Sequence, residues 1–166
     1  MHFRLKQFGA FLVLFSAALF AAAPPLHAQS DADKTGKLVR LMKEDGYDYK
    51  TTTSPTVFII HFTGDHLKDI KVVLALGGDA DSDLIAFVTV TPKANMPTTA
   101  DFRYTLLKTN YQYDQVKVGL DNDDDLSVRI DGSMRLADAA YLKVIIDQLK
   151  SSSNEIYGKI QPSLLH

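Results

Sequence analysis

The chain has no cysteine. No disulfide can staple it, and no thiolate can serve as nucleophile or metal ligand. Its stability therefore comes from packing. Glutamate is nearly absent too, with Glu44 and Glu155 alone. A paired-carboxylate hydrolase would have to use aspartates, and these cluster in turn-like stretches. There is no Asn-x-Ser/Thr sequon, which fits a bacterial envelope better than a eukaryotic secretory route. There is no Gly-x-Ser-x-Gly elbow and no Gly-rich phosphate loop. Gly77-Gly78 is a turn pair without a following Lys. The formal charge is −2, from 18 basic and 20 acidic residues. That mild acidity argues against nucleic acid, which rewards clustered Lys and Arg. No internal repeat or low-complexity linker interrupts the chain.

What is present begins with an export signal. His2, Arg4 and Lys6 make a short basic start, and Phe8 to Ala23 is apolar apart from Gly9 and Ser16. Pro24-Pro25 stops any helix. Leu26-His27-Ala28 then offers a small residue for cleavage before Gln29, although Leu26 departs from the A-x-A form. Residues 1–28 are expected to be a cleaved signal peptide, and the protein periplasmic or secreted. The rival reading is a retained anchor. A spanning helix wants about 20 apolar residues; this run is shorter, and no second one of that length follows. Cleavage leaves about 138 residues, with 16 basic against 20 acidic, and no integral membrane segment. That is the size of one domain, able to bury a real core.

The periodicities predict one α+β domain over residues 34–166, after a polar lead at 29–33. Lys34 to Asp45 reads as a helix stopped by Gly46. Tyr47–Thr51, Val57–Phe62, Ile70–Leu76 and Leu84–Val90 read as strands joined by tight turns, so antiparallel pairing is expected. Thr98 stands three residues before Asp101, a capping spacing that opens a helix fading at Asn110. A hairpin follows. Val116, Val118 and Leu120 point inward, as do Leu126, Val128 and Ile130, with Asp121 to Asp125 as the loop. Ser133 is a plausible N-cap. The last helix runs from about Leu136 to Lys159 with a stripe of Tyr141, Ile145, Leu149, Ser152, Ile156 and Ile160, and Ala140 and Val144 alongside. The order is α-β-β-β-β-α-β-β-α, with a sheet of five to six strands and three helices. Val57–Phe62 and Leu84–Val90 are apolar on both faces, which demands more cover than three helices supply.

Several groups could carry chemistry. Asp121-Asn122-Asp123-Asp124-Asp125 places hard oxygens at alternate positions, as calcium loops do. The sixth and twelfth positions hold Leu126 and Gly132 instead of Gly and Glu, so the template fails and a hairpin turn is the plainer reading. Asp79-Ala80-Asp81-Ser82-Asp83 fails in the same way. His61, Asp65 and His66 form the one close His/acid group, short of the three or four converging ligands zinc needs. Ser151-Ser152-Ser153 lies inside the last helix, where close packing is its expected role. No catalytic, cofactor-binding or metal residue is assigned. Tyr47, Tyr49, Tyr104, Tyr111 and Tyr113 are numerous for a small domain, and tyrosine suits interfaces.

The element order and the second half of the chain resemble the class I type III secretion chaperones and the YbjN-like proteins. The likeness rests on Leu106-Leu107-Lys108-Thr109-Asn110 ending a helix and on Val116-Lys117-Val118-Gly119-Leu120-Asp121 as a strand. An acidic turn, Leu126-Ser127-Val128-Arg129-Ile130 and a closing amphipathic helix complete it. It covers about 60 of the roughly 138 mature residues. The resemblance implies a non-enzymatic protein that binds other proteins, often as a dimer. It transfers no binding residue, and the secretion chaperones act in the cytoplasm, whereas this chain carries an export signal. The expectation is an exported protein-binding or chaperone-like factor, with a protein partner or homodimer. The alternative is a small-ligand or weak cation binder using the acidic loops.

Overall fold

The computed structural model describes residues 30–77 and 83–165. Residues 1–29, which include the expected signal peptide, Gly78 to Ser82 of the second acidic loop, and His166 lie outside the described residues. Within them, α1 (Asp31–Glu44) precedes β1 (Tyr49–Thr51), β2 (Val57–Phe62), β3 (Ile70–Leu76) and β4 (Leu84–Thr91). Then come α2 (Ala100–Tyr111), β5 (Lys117–Leu120), β6 (Leu126–Gly132) and α3 (Ala139–Ile160). The strands form one six-stranded sheet in the order β1-β2-β3-β4-β6-β5. Every pairing is antiparallel. The expected α+β architecture and element order stand. No described helix is long and apolar enough to cross a membrane.

Strand alternation places Phe58, Ile60, Val72, Leu74, Ala86, Val88, Val128 and Ile130 on one face, all nearly inaccessible. Helix α3 lies against β3, β4 and β6 on that face, and α1 packs on α3 and β3. The helix buries Leu142, Ile145, Ile146, Leu149, Ile156 and Ile160. Each such side chain contributes about 1.5–3 kcal/mol by leaving water. Helix α2 sits instead beside the edge strand β5. Its Phe102 enters the core, and Asn110 accepts a hydrogen bond from the Val118 N–H at that edge.

Some local expectations shift. The first helix starts at Asp31, because Ser30 accepts the Asp33 N–H and two aspartates suit the first turn. Gly46 stops it at φ 71°, where a side chain would strain the backbone. Thr99, not Thr98, caps α2 by accepting the Phe102 N–H. Asp138, not Ser133, caps α3. The expected stripe of α3 is buried at Ile145, Leu149, Ser152, Ile156 and Ile160, and Tyr141 at its start is half-buried. The residues alongside it differ: Leu142 and Ile146 are buried, whereas Ala140 and Val144 face solvent. A helical period admits either flank beside that stripe, and the bulkier pair is buried. Leu120 shares the inner side of its hairpin with Leu126 but stands at the strand's end, and it is exposed.

Long-range polar contacts lock the layers. Asn154 on α3 accepts the N–H groups of His66 and Leu67, holding the β2–β3 loop down. Gly64 allows that approach, since a side chain there would collide with Asn154. Asp83, nearly buried, accepts the Met134 N–H at 2.6 Å and pairs with Lys34 at 3.0 Å. It thereby joins α1, β4 and the segment before α3. Burial pushes the Asp83 pKa up, but the Met134 N–H and the Lys34 ammonium outweigh it and hold it below the ordinary carboxylate value. A lowered folded-state pKa stabilises above the unfolded value, and that contribution is lost as pH falls through the folded value. Asp83→Ala is expected to cost about 1–3 kcal/mol at neutral pH, measured by urea unfolding. The gap to the wild type should narrow in strongly acid solution; a gap constant with pH would contradict the charge pairing.

Candidate functional site

The other face of the sheet carries the opposite alternation. Val57, Ile59, Val73, Ala75, Ile85 and Phe87 occupy β2, β3 and β4 there, and each remains partly exposed. Antiparallel partners share a face, so the register also fixes what surrounds them. One row runs across all six strands: Lys50, Ile59, Val73, Phe87, Arg129, Lys117. Its middle is apolar and both ends are cationic. His61 and Lys71 pair on the same face at one end of the strands. The doubly apolar strands seen in the sequence thus have one side covered by helices and one side open.

A groove of 520 Å³ lies on this face over β4, β6 and β5. Phe87 and Ile85 contribute apolar walls, and Arg129, Lys117 and the Asp121–Asp125 turn line the rest. The groove has room above Gly119, where an added side chain would meet nothing within 4 Å. Lys117 and Arg129 both donate to Asp131 at 2.6 Å. Burial pushes the Asp131 carboxyl up, but these two cations hold its pKa below the usual value. The three groups together keep one net positive charge, and Asp121, Asp123 and Asp125 of the turn bring three negative ones to the same groove. At the other margin Asp69 accepts from Lys71 and from His61, which lower its pKa in that order.

The residues singled out in the sequence are spent mostly on structure. Asp121 accepts the N–H groups of Asp123 and Asp125 with one carboxylate oxygen and the Ser127 hydroxyl with the other. Asp124 takes the left-handed conformation at φ 63° and pairs with Lys93. Asp125 accepts the Lys93 N–H. This is the hairpin turn that clustered Asp and Asn favour. His61 is paired with Asp69, whereas the His66 ring packs beside Gly158 of α3. The two histidines and Asp65 therefore make no shared cluster, and no group of three metal-ligating side chains occurs among the described residues. Ser152 and Ser153 are buried in α3, and their hydroxyls donate to the helix's own carbonyls.

The tyrosines divide by environment. Tyr47 and Tyr49 pack edge-on against Phe62 and Phe58. Tyr113 donates to Glu155 on α3; burial first, and that bond second, raise its pKa far above the ordinary phenol value. Tyr104 and Tyr111 are different. With Leu107 they form an outward stripe on α2 at three- and four-residue spacing, 60%, 71% and 92% exposed in the order 104, 107, 111. Leu107 shares its helix with the apolar Phe102 and Leu106. The structure turns Phe102 inward and Leu107 to the opposite side.

Comparison with known proteins adds a little. No family model matches the chain, and no curated protein matches it. Five solved chains do match. One is the Yersinia pestis type III secretion chaperone SycH, solved in complex with a stable fragment of YscM2. It is 18% identical, with a TM-score of 0.48 over 72% of this chain and 96% of that one. At that level the likeness carries no argument about this chain, and no residue role passes between them.

Proposed function

We propose that this protein is an exported, non-enzymatic factor that binds an apolar segment of another protein on its open sheet face. The observation that carries the reading is the unhelped side of β2, β3 and β4. Six apolar side chains stand together there with no described helix over them. Contiguous exposed apolar surface of this kind marks interaction sites. Groups that an enzyme could use are otherwise engaged: His61 by Asp69, Asp121 by its own turn, Ser152 and Ser153 by helix carbonyls. The export signal at residues 1–28 sets the compartment in this reading, and the YbjN-like sequence pattern agrees with a binding role.

A photo-crosslinking residue replacing Val73 tests the face in cells of the source organism. Adducts to a discrete partner are expected at Val73, with none from the same residue at Arg40 on the far side of α1. Equal adducts at both positions, or none at Val73, would contradict the reading. Mass spectrometry of the same envelope material tests export. A chain starting at Gln29 is expected, and one retaining residues 1–28 would contradict cleavage.

The stripe on α2 suits a second copy of the chain. Helical positions recur at about 100° per residue, so Tyr104, Leu107 and Tyr111 lie nearly opposite buried Phe102 and Thr109. Two α2 helices meeting antiparallel about a two-fold axis set Tyr104 against Leu107 and Ala100 against Tyr111. The same operation brings Asp101 of one copy beside Lys108 of the other, twice. The stripe is thus complementary to itself in shape and in charge, as an isologous contact requires. Sedimentation equilibrium should show a dimer, and Leu107→Asp should weaken self-association by at least about tenfold. A wild-type chain that stays monomeric at high concentration would refute the pairing.

A further inference from the structure

We infer that residues 98–120, helix α2 with strand β5, form a hinged flap that swings off the sheet edge as one body while the rest of the domain stays folded. The inference is independent of what the open face or the α2 stripe binds. It starts from how little holds this segment. Helix α3 buries Leu142, Ile145, Ile146, Leu149, Ile156 and Ile160. Helix α2 buries Phe102 and Thr109 and leaves Tyr104, Leu107 and Tyr111 outside. Strand β5 is only four residues long. Its Val118 N–H turns away from β6 to Asn110, so the ladder bonds fall to Lys117 with Arg129 and Gly119 with Ser127. Elements with few buried apolar side chains and short ladders open at lower free energy than the core.

The two ends of the segment lie side by side. Pro97 and Thr98 before α2, and Leu120 at the end of β5, line one pocket of 280 Å³ together with Lys93 and Asp124. The fixed side of that pocket is tied down, because Lys93 pairs with Asp124 and donates its N–H to Asp125. A segment whose ends meet can turn about a single line. Its two elements are also joined to each other. Asn110, near the end of α2, accepts the Val118 N–H of β5 at 2.9 Å. Lifting one element therefore lifts the other.

The far end, Gln112 to Val116, is latched to α3. Tyr113 donates to Glu155 at 2.7 Å. Lys159 donates to Gln112 at 3.1 Å and lies 5.5 Å from the centre of the Tyr113 ring. Val116 adds one buried side chain. The fit beneath the latch is loose. A cavity of 250 Å³ lies there, lined by Gln115 and Val116 from the loop and by Gln148 and Ser151 from α3. The Gln148 side-chain oxygen is buried with no hydrogen-bond partner among the described residues. An unpaired buried acceptor disfavours the closed state, and it regains water when the flap lifts. Opening also bares the edge of β6, leaving the N–H and C=O groups of Ser127 and Arg129 unpaired on that side.

Backbone hydrogen exchange of the mature protein tests the flap. The most protected amides of α2 and of β5 are expected to share one protection factor, at least about tenfold below that of β2, β3 and α3. Tyr113→Phe removes the latch bond and should lower protection over residues 100–120 by at least about threefold, with 57–76 and 142–157 unchanged. Glu155→Gln keeps an acceptor for Tyr113 and should stay near the wild type. Gln148→Met removes the unpaired oxygen at similar length and should raise protection over the same residues. Separate protection factors for α2 and β5, or values equal to that of α3, would overturn the flap as a unit. A Tyr113→Phe effect spread over the whole chain, or lowered protection in Gln148→Met, would overturn the latch and the loose fit beneath it.

Discussion

Helix α3 seats its apolar stripe on alternate side chains of β3, β4 and β6, and the rest of the molecule depends on that contact. It selects which face of an almost wholly apolar set of strands goes dry. Leu142, Ile145, Ile146 and Leu149 meet a surface built from Val72, Leu74, Ala86, Val88 and Val128. Because strand side chains alternate with a period of two, choosing one face commits the other to solvent. Val73, Ile85 and Phe87 are left outside by the same geometry that buries their neighbours. A chain without cysteine has no staple to hold a looser arrangement. The anchors around this core are polar: Asp83 with Lys34 and Met134, and Asn154 with the β2–β3 loop.

Much of the architecture was legible in sequence. Val57–Phe62 and Ile70–Leu76 agree with the structure residue for residue, because β-branched runs bounded by turn residues admit one reading. The need for cover on a second face was also readable, from strands apolar at odd and even positions alike. What was not readable depends on tertiary choice. The α3 stripe through Ile145, Leu149 and Ile156 was readable, but it has apolar residues on both flanks, and only docking on the sheet separates Leu142 and Ile146 from Val144. Phe102, Leu106 and Leu107 are alike apolar in one helix, yet α2 packs through Phe102 and Thr109 at the β5 edge. The transverse row of Lys50, Ile59, Val73, Phe87, Arg129 and Lys117 joins residues far apart in sequence. No local pattern could have shown it, because it exists only in the register.

The acidic clusters illustrate how a functional-looking motif is absorbed by local structure. Asp121 spends its carboxylate on two backbone N–H groups and a hydroxyl, which closes a tight hairpin. That turn then forms one wall of the groove over Gly119. The aspartates thus fix one boundary of the groove. The cations Lys50, Lys117 and Arg129 act differently. They stand at the two margins of an apolar centre. Hydrophobic burial would supply affinity, and the charged rim would supply orientation and selectivity.

One face of the sheet is dry and its opposite is open. The absence of native cysteine allows a direct test with single-cysteine variants. Val72→Cys and Ala86→Cys report the helix-covered face, and Val73→Cys and Phe87→Cys report the other. In the folded protein, a thiol-reactive dye should label positions 73 and 87 readily and positions 72 and 86 only on unfolding. Equal protection of all four positions would show that something else covers the second face and would contradict the account.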